Sequence, residues 1–489
     1  MNHNIHILPD GRHLTVPNGQ NLLKALRNFG VFPDAPCGGN GTCGKCRVMV
    51  NGASVLACQT VIDQDMTVLL PNDGDLQILQ SGIPTCRAID PVQEGHLLAF
   101  DIGTTSVVCF LLDGTTGREL AKASMANPQY CFGSDVISRI QAALKGALPQ
   151  LTAMVRDAMT SLIGQVCRDA RVEPHRIGVV SVVGNPAMQQ LLLGISPENL
   201  AGVPFAPVLT EAKIVDCSDI LPICAQAKLL IVPDISGYVG ADTMGCVLAT
   251  ELYKKEELTL LVDIGTNGEM VLGNRERMIA CSTAAGPALE GANIRFGMRG
   301  AEGAIDHVWL EDGQIRCSVI GGGKAKGICG SGLIDAIAVG LELGLLNKRG
   351  RIQTDNRIYQ IAEDIYLTQD DIRQVQLAKG AICAGITLMA QQLGVTMEQI
   401  QKVQLAGAFG TFLNPESACR IGLLPEVLLE KIEAVGNAAG SGAKMLACDQ
   451  ALLPLTRKLT GRIEFLELAS LPEFPRTFAK AMNFREETP

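Results

Sequence analysis

The chain has few aromatic residues and little positive charge. Of its 489 residues one is tryptophan and five are tyrosine, and the acidic residues outnumber the basic ones to give a net charge of −9. Proteins that bind nucleic acid generally need basic surface patches and aromatic rings on which bases can stack. The composition therefore argues against a nucleic-acid partner.

Long apolar runs are also lacking. No charge-free apolar stretch reaches the ~18 residues that a helix needs to cross a bilayer. The first residues, Met-Asn-His-Asn-Ile-His, have neither the basic nor the apolar region of a signal peptide. We therefore expect a cytoplasmic protein without a membrane partner. A chain of 489 residues, 47% of them hydrophobic, is too long for one ordinary domain, and two or three domains are expected.

Cysteine, in contrast, is abundant, with 17 residues. In a cytoplasmic protein of this size, so many cysteines favour metal or thiol chemistry over a disulfide framework. The six histidines are scattered along the chain and indicate no metal site of their own.

The first 75 residues have a pattern of their own. Two apolar strands around a Pro-Asp-Gly turn, a short helix that ends at a glycine, and two further strands predict a small β-grasp-like domain. The predicted strands are Ile5–Leu8, His13–Val16, Cys46–Val50 and Met66–Leu70, and the predicted helix is Asn21–Phe29.

Four cysteines in this region, Cys37, Cys43, Cys46 and Cys58, have the spacing C-x5-C-x2-C-x11-C. Glycines between the first three let the loop wrap a cluster and turn backbone N–H groups toward its sulfurs. A structural zinc ion also suits four cysteines, but zinc sites usually use two separate C-x2-C pairs. One glycine-rich loop with three cysteines and a distant fourth is similar to the plant-type ferredoxins, so we interpret the four as ligands of a [2Fe–2S] cluster.

The sequence Asp-Ile-Gly-Thr occurs twice, at residues 101–104 and 263–266, each time after one apolar run and before another. This predicts a strand, a glycine turn and a return strand, built twice. Glycine lets a backbone approach phosphate closely, turn N–H groups and threonine hydroxyls can donate to its oxygens, and the carboxylate can hold a hydrated Mg²⁺ ion. One copy alone fits an ordinary hairpin equally well, whereas two copies in matching contexts predict the facing halves of a nucleotide cleft.

The paired motifs resemble the phosphate-1 and phosphate-2 loops of the superfamily that unites acetate and sugar kinases, chaperone ATPases and actin. In that superfamily two α/β lobes close on ATP and Mg²⁺. The resemblance covers residues 97–455, and it implies that Asp101 and Asp263 are catalytic and act through Mg²⁺ and water. It also implies an adenosine loop after residue 405 and two connecting helices, at Ala187–Leu193 and within residues 434–444. The residues it implies for nucleotide binding are Gly103, Thr104, Thr105, Gly265, Thr266, Asn267, Gly268, Glu269, Gly407, Ala408 and Gly410.

The chain is therefore predicted to be a multidomain α/β protein. We expect a β-grasp, plant-type ferredoxin domain at residues 1–75 and a linker at 76–96. An actin-like, two-lobed ATPase follows, with its first lobe at 97–257 and its second lobe and C-terminal tail at 258–489.

As a whole, the chain resembles the reductive activators of corrinoid proteins. The resemblance rests on the cysteine loop (CGGNGTCGKC, then LACQT), on VDIGTNGE and on the order of the domains. It implies an ATP-hydrolysing enzyme of anaerobic metabolism that passes one electron from the [2Fe–2S] cluster to Co(II) and regenerates Co(I). The implied partners are a corrinoid protein of a methyltransferase system and a low-potential electron donor, and a homodimer is compatible with it.

Two other functions stay open at this point. A small-molecule kinase of the same superfamily with a regulatory ferredoxin domain would need an acceptor pocket with a carboxylate base. A redox-sensing ATPase scaffold would need neither an acceptor nor a corrinoid. Turnover of ATP with a corrinoid partner, with a sugar or acid, or with neither separates the three.

Overall fold

The fold is given by a computed structural model. It describes residues 2–9, 11–29, 31, 33, 35, 39, 41, 44–70, 78–84, 90 and 95–484. In this part of the chain no helix combines the length and the apolar character needed to cross a bilayer.

The first part of the chain is a five-stranded sheet with one helix packed on it. Its strand order is β2-β1-β5-β3-β4, with β1 parallel to β5 and the other pairs antiparallel. The side chains of Leu22, Leu23 and Leu26 on the helix are buried against the sheet. This is the predicted β-grasp arrangement. Its elements are β1 Asn2–Leu8, β2 Arg12–Pro17, α1 Leu22–Asn28, β3 Arg47–Val50, β4 Ala53–Leu56 and β5 Met66–Leu69.

The first lobe of the following body is built on a six-stranded sheet of order β10-β11-β9-β6-β7-β8. β6, β7 and β8 form an antiparallel meander, while β6, β9 and β11 run parallel, so the carboxyl ends of the parallel strands share one edge. The elements are β6 His96–Ile102, β7 Ser106–Asp113, β8 Glu119–Ala126, α2 Val136–Ala142, α3 Leu148–Ala170, β9 Ile177–Gly184, α4 Pro186–Leu193, β10 Lys213–Asp216, β11 Lys228–Ile231 and α5 Ala241–Ala249.

The second lobe repeats this plan in a sheet of order β21-β20-β12-β13-β14-β22. β12, β13 and β14 form the meander, in which β12 and β13 are the strand and return strand predicted from the repeated motif, and β12, β20 and β21 run parallel. The main elements are β12 Thr259–Ile264, β13 Gly268–Gly273, β14 Met278–Thr283, β15 Ala304–Glu311, β16 Gln314–Val319, β17 Gly327–Ile328, α6 Gly330–Glu342, β18 Tyr359–Gln360, β19 Tyr366–Leu367, α7 Gln369–Leu393, β20 Lys402–Ala406, α8 Gly407–Phe412, α9 Pro415–Arg420, β21 Ile432–Gly436, α10 Ala438–Cys448, α11 Leu452–Thr460, β22 Ile463–Phe465 and α12 Phe474–Ala481.

The two lobes are joined where α5 packs against α10. A Cβ atom on Gly442 would lie 2.2 Å from the carbonyl oxygen of Gly245, so the two helix backbones are in direct contact. The prediction that Ala187–Leu193 is the first connecting helix was wrong, since α4 packs on α3 and β9 within the first lobe. The connecting helix is α5, because it stands directly before the second lobe and small residues admit α10 against it.

Candidate functional site

A cleft with a cavity of about 310 Å³ lies between the lobes. The turns of both Asp-Ile-Gly-Thr hairpins line it, together with the starts of α5, α8 and α10. Its size falls at the lower end of the range typical of small-molecule sites. The sheet plan explains the location, because the carboxyl ends of the parallel strands in each lobe point toward the same gap.

The first hairpin turn, between β6 and β7, is held by side chains of the first lobe. The N–H of Gly103 donates to the carbonyl of Ser106, and the side chain of Asn127 donates to the carbonyl of Gly103 at 2.8 Å. The guanidinium of Arg139, fully buried beneath the turn, donates to the carbonyl of Thr104. Burial lowers the pKa of Arg139 to about 9. A buried cation and a buried amide therefore hold this turn in one conformation.

The second hairpin turn, between β12 and β13, is one residue shorter than the first. Ile264 pairs with Gly268, whereas Ile102 pairs with Val107. The N–H of Gly265 closes the turn by donating to the carbonyl of Asn267 at 2.9 Å. In both turns the glycine N–H is thus used inside the turn, and the threonine side chains are among the donors that line the cleft.

One carboxylate joins the two turns. The Thr105 hydroxyl donates to Glu290 Oε1 at 2.9 Å, and the Thr266 hydroxyl donates to Glu290 Oε2 at 2.7 Å. Glu290 ends a short 3₁₀ turn, Pro287–Glu290, that follows β14. The hydroxyls predicted to meet phosphate therefore meet a carboxylate that bridges the lobes.

Four further carboxyl groups approach each other in the cleft, and their titration is displaced. Burial raises the pKa of Asp101 to about 7, against a hydrogen bond from Asn437, and neighbouring Asp263 and Asp242 raise it further. Burial likewise raises the pKa of Asp263 to about 7 and that of Asp242 to about 6. The pKa of Glu269 is raised first by burial and then by repulsion from Asp242 and Asp263. Clustered acids with raised pKa values are typical of functional sites.

These carboxyl groups do not form a ready-made metal site. In residues 2–484, as far as the structure describes them, no three side chains of His, Cys, Asp or Glu converge closely enough to ligate one ion directly. The donor set is nevertheless all oxygen and acidic, which fits Mg²⁺, an ion that keeps several of its waters.

The predicted adenosine loop reaches the same cleft. Gly407 has a φ of +80°, and a Cβ atom there would lie 2.5 Å from Asp263 Oδ1, so only glycine allows this approach. Ala408 also lines the cleft. Two residues predicted to bind nucleotide do not line it: Gly268 pairs with Thr283 in the sheet, and Gly410 packs against Leu405.

Several lining residues are not among those predicted to bind the nucleotide. Asp242 lies in the first turn of α5, Asn437 precedes α10 and donates to Asp101 Oδ2 at 2.9 Å, and Glu290 follows β14. The sequence Asn-Ala-Ala-Gly directly after β21 could have identified Asn437, because a residue that caps a helix at the end of a strand lies at the edge of the sheet. His307 also lines the cleft, with its Nδ1 3.0 Å from the buried Asp335.

Half of the predicted cluster ligands lie in the described residues. Cys46 is buried, Cys58 is half-buried, and the N–H of Cys58 lies 3.5 Å from the Cys46 sulfur, so the two are neighbours. Gly39 has a φ of +97°, and its Cβ position lies 3.8 Å from Cys58 Cβ, which places Gly39 beside that cysteine. Cys37 and Cys43 lie outside the described residues. This arrangement fits a thiolate-held cluster, because backbone N–H groups turned toward the sulfurs stabilise their charge.

Part of the predicted linker lies on the body. The N–H of Asn437 donates to the carbonyl of Ser81 at 2.8 Å, and the hydroxyl of Ser441 donates to the carbonyl of Ile83 at 3.1 Å. The segment 78–84 therefore packs beside the residue that holds Asp101, and its first two residues line the cleft. Cys86 lies outside the described residues.

Three family models match the chain. A model described as a 2Fe-2S iron-sulfur cluster binding domain matches residues 5–69. One described as the RACo middle region matches residues 97–255, and one described as the C-terminal domain of RACo, the ASKHA domain, matches residues 257–489. The chain thus contains a [2Fe–2S] domain ahead of a nucleotide-binding ASKHA domain.

Whole-protein comparisons point the same way. The corrinoid activation enzyme RamQ of Eubacterium limosum is 36% identical over 410 residues, 78% of this chain and 69% of that protein. The [Co(II) methylated amine-specific corrinoid protein] reductase of Methanosarcina barkeri is 25% identical over 74% of this chain and 72% of its own length. A solved structure, the reductive activator for corrinoid,iron-sulfur protein, matches with a TM-score of 0.72 and 28% identity over 99% of this chain and 98% of its own. The chain therefore belongs to the RACo family of corrinoid-protein activators.

Proposed function

We propose that this protein uses ATP to reduce a corrinoid protein by one electron, from Co(II) to Co(I), so that the corrinoid can re-enter a methyltransferase cycle. The observation that carries the proposal is the joining, in one chain of this family, of a thiolate-rich ferredoxin domain and a two-lobed cleft. The Eubacterium and Methanosarcina relatives are named for corrinoid activation and for reduction of a Co(II) corrinoid protein.

Within the cleft, different residues bind the metal ion, the phosphates and the adenosine of the nucleotide. Asp101 and Asp263, one from each lobe, hold a hydrated Mg²⁺ ion, and Thr104, Thr105 and Thr266 donate to the phosphates. Asn437 orients Asp101 through its 2.9 Å hydrogen bond. Oriented groups of this kind stabilise the charge that develops during phosphoryl transfer, and losing one often costs ~10²-fold or more in rate. Asn267 and Glu269 border the phosphates, while Gly407 and Ala408 admit the adenosine.

The cysteine loop provides the ligands of the group that delivers the electron. A [2Fe–2S] cluster held by Cys37, Cys43, Cys46 and Cys58 supplies single electrons at a low potential, near −400 mV for the plant type. Each ~59 mV uphill in a one-electron step costs about tenfold in equilibrium, so a corrinoid of still lower potential is reduced only marginally without help. Closing of the lobes on ATP supplies that help, provided that the closed state binds the partner differently.

We place the ferredoxin domain at residues 1–75, the linker at 76–96 and the lobes at 97–257 and 258–489. A low-potential donor recharges the ferredoxin domain in the cytoplasm, and a homodimer is compatible with this function.

The decisive experiment supplies the purified, iron-loaded chain with ATP, a chemical reductant and a corrinoid protein in the Co(II) state. We expect Co(I) to form, visible by its own absorption band, only when ATP and reductant are both present. Cys43→Ala protein should lose the roughly two irons that this ligand set implies. It should hydrolyse ATP without forming Co(I). Asp263→Ala protein should keep its cluster spectrum and leave the corrinoid at Co(II).

Two results would contradict the proposal. One is equal reduction of the corrinoid with and without ATP. The other is identification of a bound partner that carries no corrinoid, which would favour one of the alternative functions instead.

A further inference from the structure

Glu290 accepts a hydrogen bond from each of the two hairpin turns. Among the described residues, no other acidic side chain does so. The two oxygens of Glu290 take the hydroxyls of Thr105 and Thr266 at 2.9 and 2.7 Å. A phosphate that accepts from the same two hydroxyls must displace the carboxylate, because each hydroxyl has one proton to donate. Repulsion between the two anions acts in the same direction.

The segment that follows Glu290 contacts the cluster domain. The ammonium group of Lys45 donates to the carbonyl oxygens of Gly297 at 2.7 Å and Ile294 at 3.4 Å. Lys45 stands directly before Cys46 in the cysteine loop. Further along, the guanidinium of Arg299 lies 4.8 Å from the centre of the Tyr130 ring in the first lobe. Residues 290–299, which we name the relay segment, therefore touch both hairpin turns, the first lobe and the cysteine loop.

The relay segment is stiff. A Cβ atom on Gly297 would lie 2.1 Å from the Gly291 carbonyl oxygen, so the two ends of the loop pack backbone to backbone. The N–H of Met298 donates to the carbonyl of Ile328, and the N–H of Arg295 donates to the buried Asp371 at 2.7 Å. A tightly packed loop of this kind moves as a unit, because close-packed interiors transmit displacement instead of absorbing it.

We propose that Glu290 detects the terminal phosphate of a bound nucleoside triphosphate and that the relay segment carries its displacement to the cysteine loop through Lys45. This inference rests on the proposed function only in placing ATP in the cleft. A triphosphate takes the two threonine hydroxyls and moves Glu290, whereas a diphosphate, one phosphate shorter, leaves the bridge in place. Lys45 follows the carbonyls to which it donates, and the loop that carries Cys46 moves with it.

The first test compares nucleotide affinities of the full-length, iron-loaded chain. Glu290→Gln keeps the shape of the side chain but removes the charge that opposes phosphate. We expect its preference for an ATP analogue with an uncleavable β–γ bond over ADP to exceed that of the unaltered protein by about tenfold, equivalent to 1.4 kcal/mol. Glu302→Gln, an exposed carboxylate in the residues just after the relay segment, should leave the preference unchanged. An unchanged preference in Glu290→Gln would overturn the proposal.

The second test measures amide hydrogen exchange in peptides that cover residues 44–50 and 290–299. In the unaltered protein the uncleavable analogue, but not ADP, should change exchange in both. In Lys45→Met the response of 290–299 should persist and that of 44–50 should vanish, while the exposed Lys24→Met behaves as the unaltered protein. A response of 44–50 that survives in Lys45→Met would overturn the relay.

The two conclusions can fail separately. Corrinoid reduction without any exchange response in residues 44–50 removes the relay and leaves the function. An analogue-specific exchange response in both peptides, with no corrinoid reduction, supports the relay and contradicts the proposed function.

Discussion

At the scale of single residues, the cleft concentrates negative charge where it costs stability. The pKa of Asp263 is raised from 3.8 to about 7, mainly by burial. Between those two pH values the folded state therefore binds more protons at this group than the unfolded state does. The free energy of unfolding consequently falls as the pH rises from about 4 through 7, and above pH 7 the full penalty is present. A bound cation offsets the cost of the buried negative charge. A cleft built to bind Mg²⁺ and nucleotide is therefore less stable when it is empty.

Asp263→Asn should therefore raise the melting temperature at pH 8 while it removes ATP turnover. Without nucleotide and Mg²⁺, we expect an increase of about 2–4 °C at pH 8, a common size for a change of about 1 kcal/mol in a large domain. At pH 4, close to the ordinary pKa of the group, the unfolded state binds nearly as many protons as the folded state does, and the difference should nearly vanish. Scanning calorimetry at both pH values measures it, with the exposed Asp169→Asn as a control. A variant less stable than the unaltered protein at pH 8 would show that the carboxylate is not under strain.

Some of these residues could be predicted from the sequence and others could not, for a physical reason. Asp101, Thr104, Asp263 and Thr266 stand in a local pattern of strand and glycine turn, which a single sequence displays. The groups that complete the cleft arrive through tertiary structure. Asn437 is 336 residues from the Asp101 that it contacts, and Glu290 is 185 residues from Thr105. No local propensity encodes such a pairing.

At the scale of elements, the contact between α5 and α10 sets the geometry of the cleft. Asp242 lies in the first turn of α5, and Asn437 caps α10. The two helices touch where Gly245 faces Gly442, so their separation fixes how far apart these two cleft residues lie. The sequence resemblance indicated a connecting helix within residues 434–444 but not the helix that it meets, because small residues allow close packing without choosing a partner.

Gly442→Ala should push the two helices apart. Its Cβ atom would lie 2.2 to 2.5 Å from backbone atoms of Gly245, and a backbone cannot move aside as a flexible side chain can. We expect a loss of at least ~2 kcal/mol in the free energy of unfolding, as for other overpacked cores. ATP turnover should fall by about tenfold or more, since small misplacements of catalytic groups are costly.

The matched control for that variant is Gly461→Ala. A Cβ atom at Gly461 would lie 3.6 Å from the Lys458 carbonyl oxygen, an ordinary contact distance. Equal melting temperatures and equal turnover in the two variants would mean that the α5–α10 contact tolerates separation and does not set the cleft.

At the scale of the whole molecule, the order of the domains could be predicted from two motifs, but their docking could not. The cysteine loop and the paired Asp-Ile-Gly-Thr turns mark the two halves of the chain. The contact between them includes one lysine that donates to carbonyl groups some 250 residues later, since Lys45 and Gly297 are 252 positions apart. Backbone carbonyls carry no side-chain signal, so the partner of Lys45 is invisible in the sequence.

That contact within one chain predicts how the two halves cooperate. If a nucleotide in the cleft acts on the cysteine loop of the same chain, the cluster and the ATPase must be intact together. Mixing Cys43→Ala protein with Asp263→Ala protein should then form no more Co(I) on a corrinoid partner than either variant alone. The measurement is the absorption of Co(I) after ATP and reductant are added to equimolar mixtures. Covalent fusion of the two variants serves as the control for a missed encounter, and it should be equally inactive. Recovery to about a quarter of the unaltered activity, the share expected if electrons and ATP can be supplied by different chains of a random dimer, would show that the coupling passes between subunits.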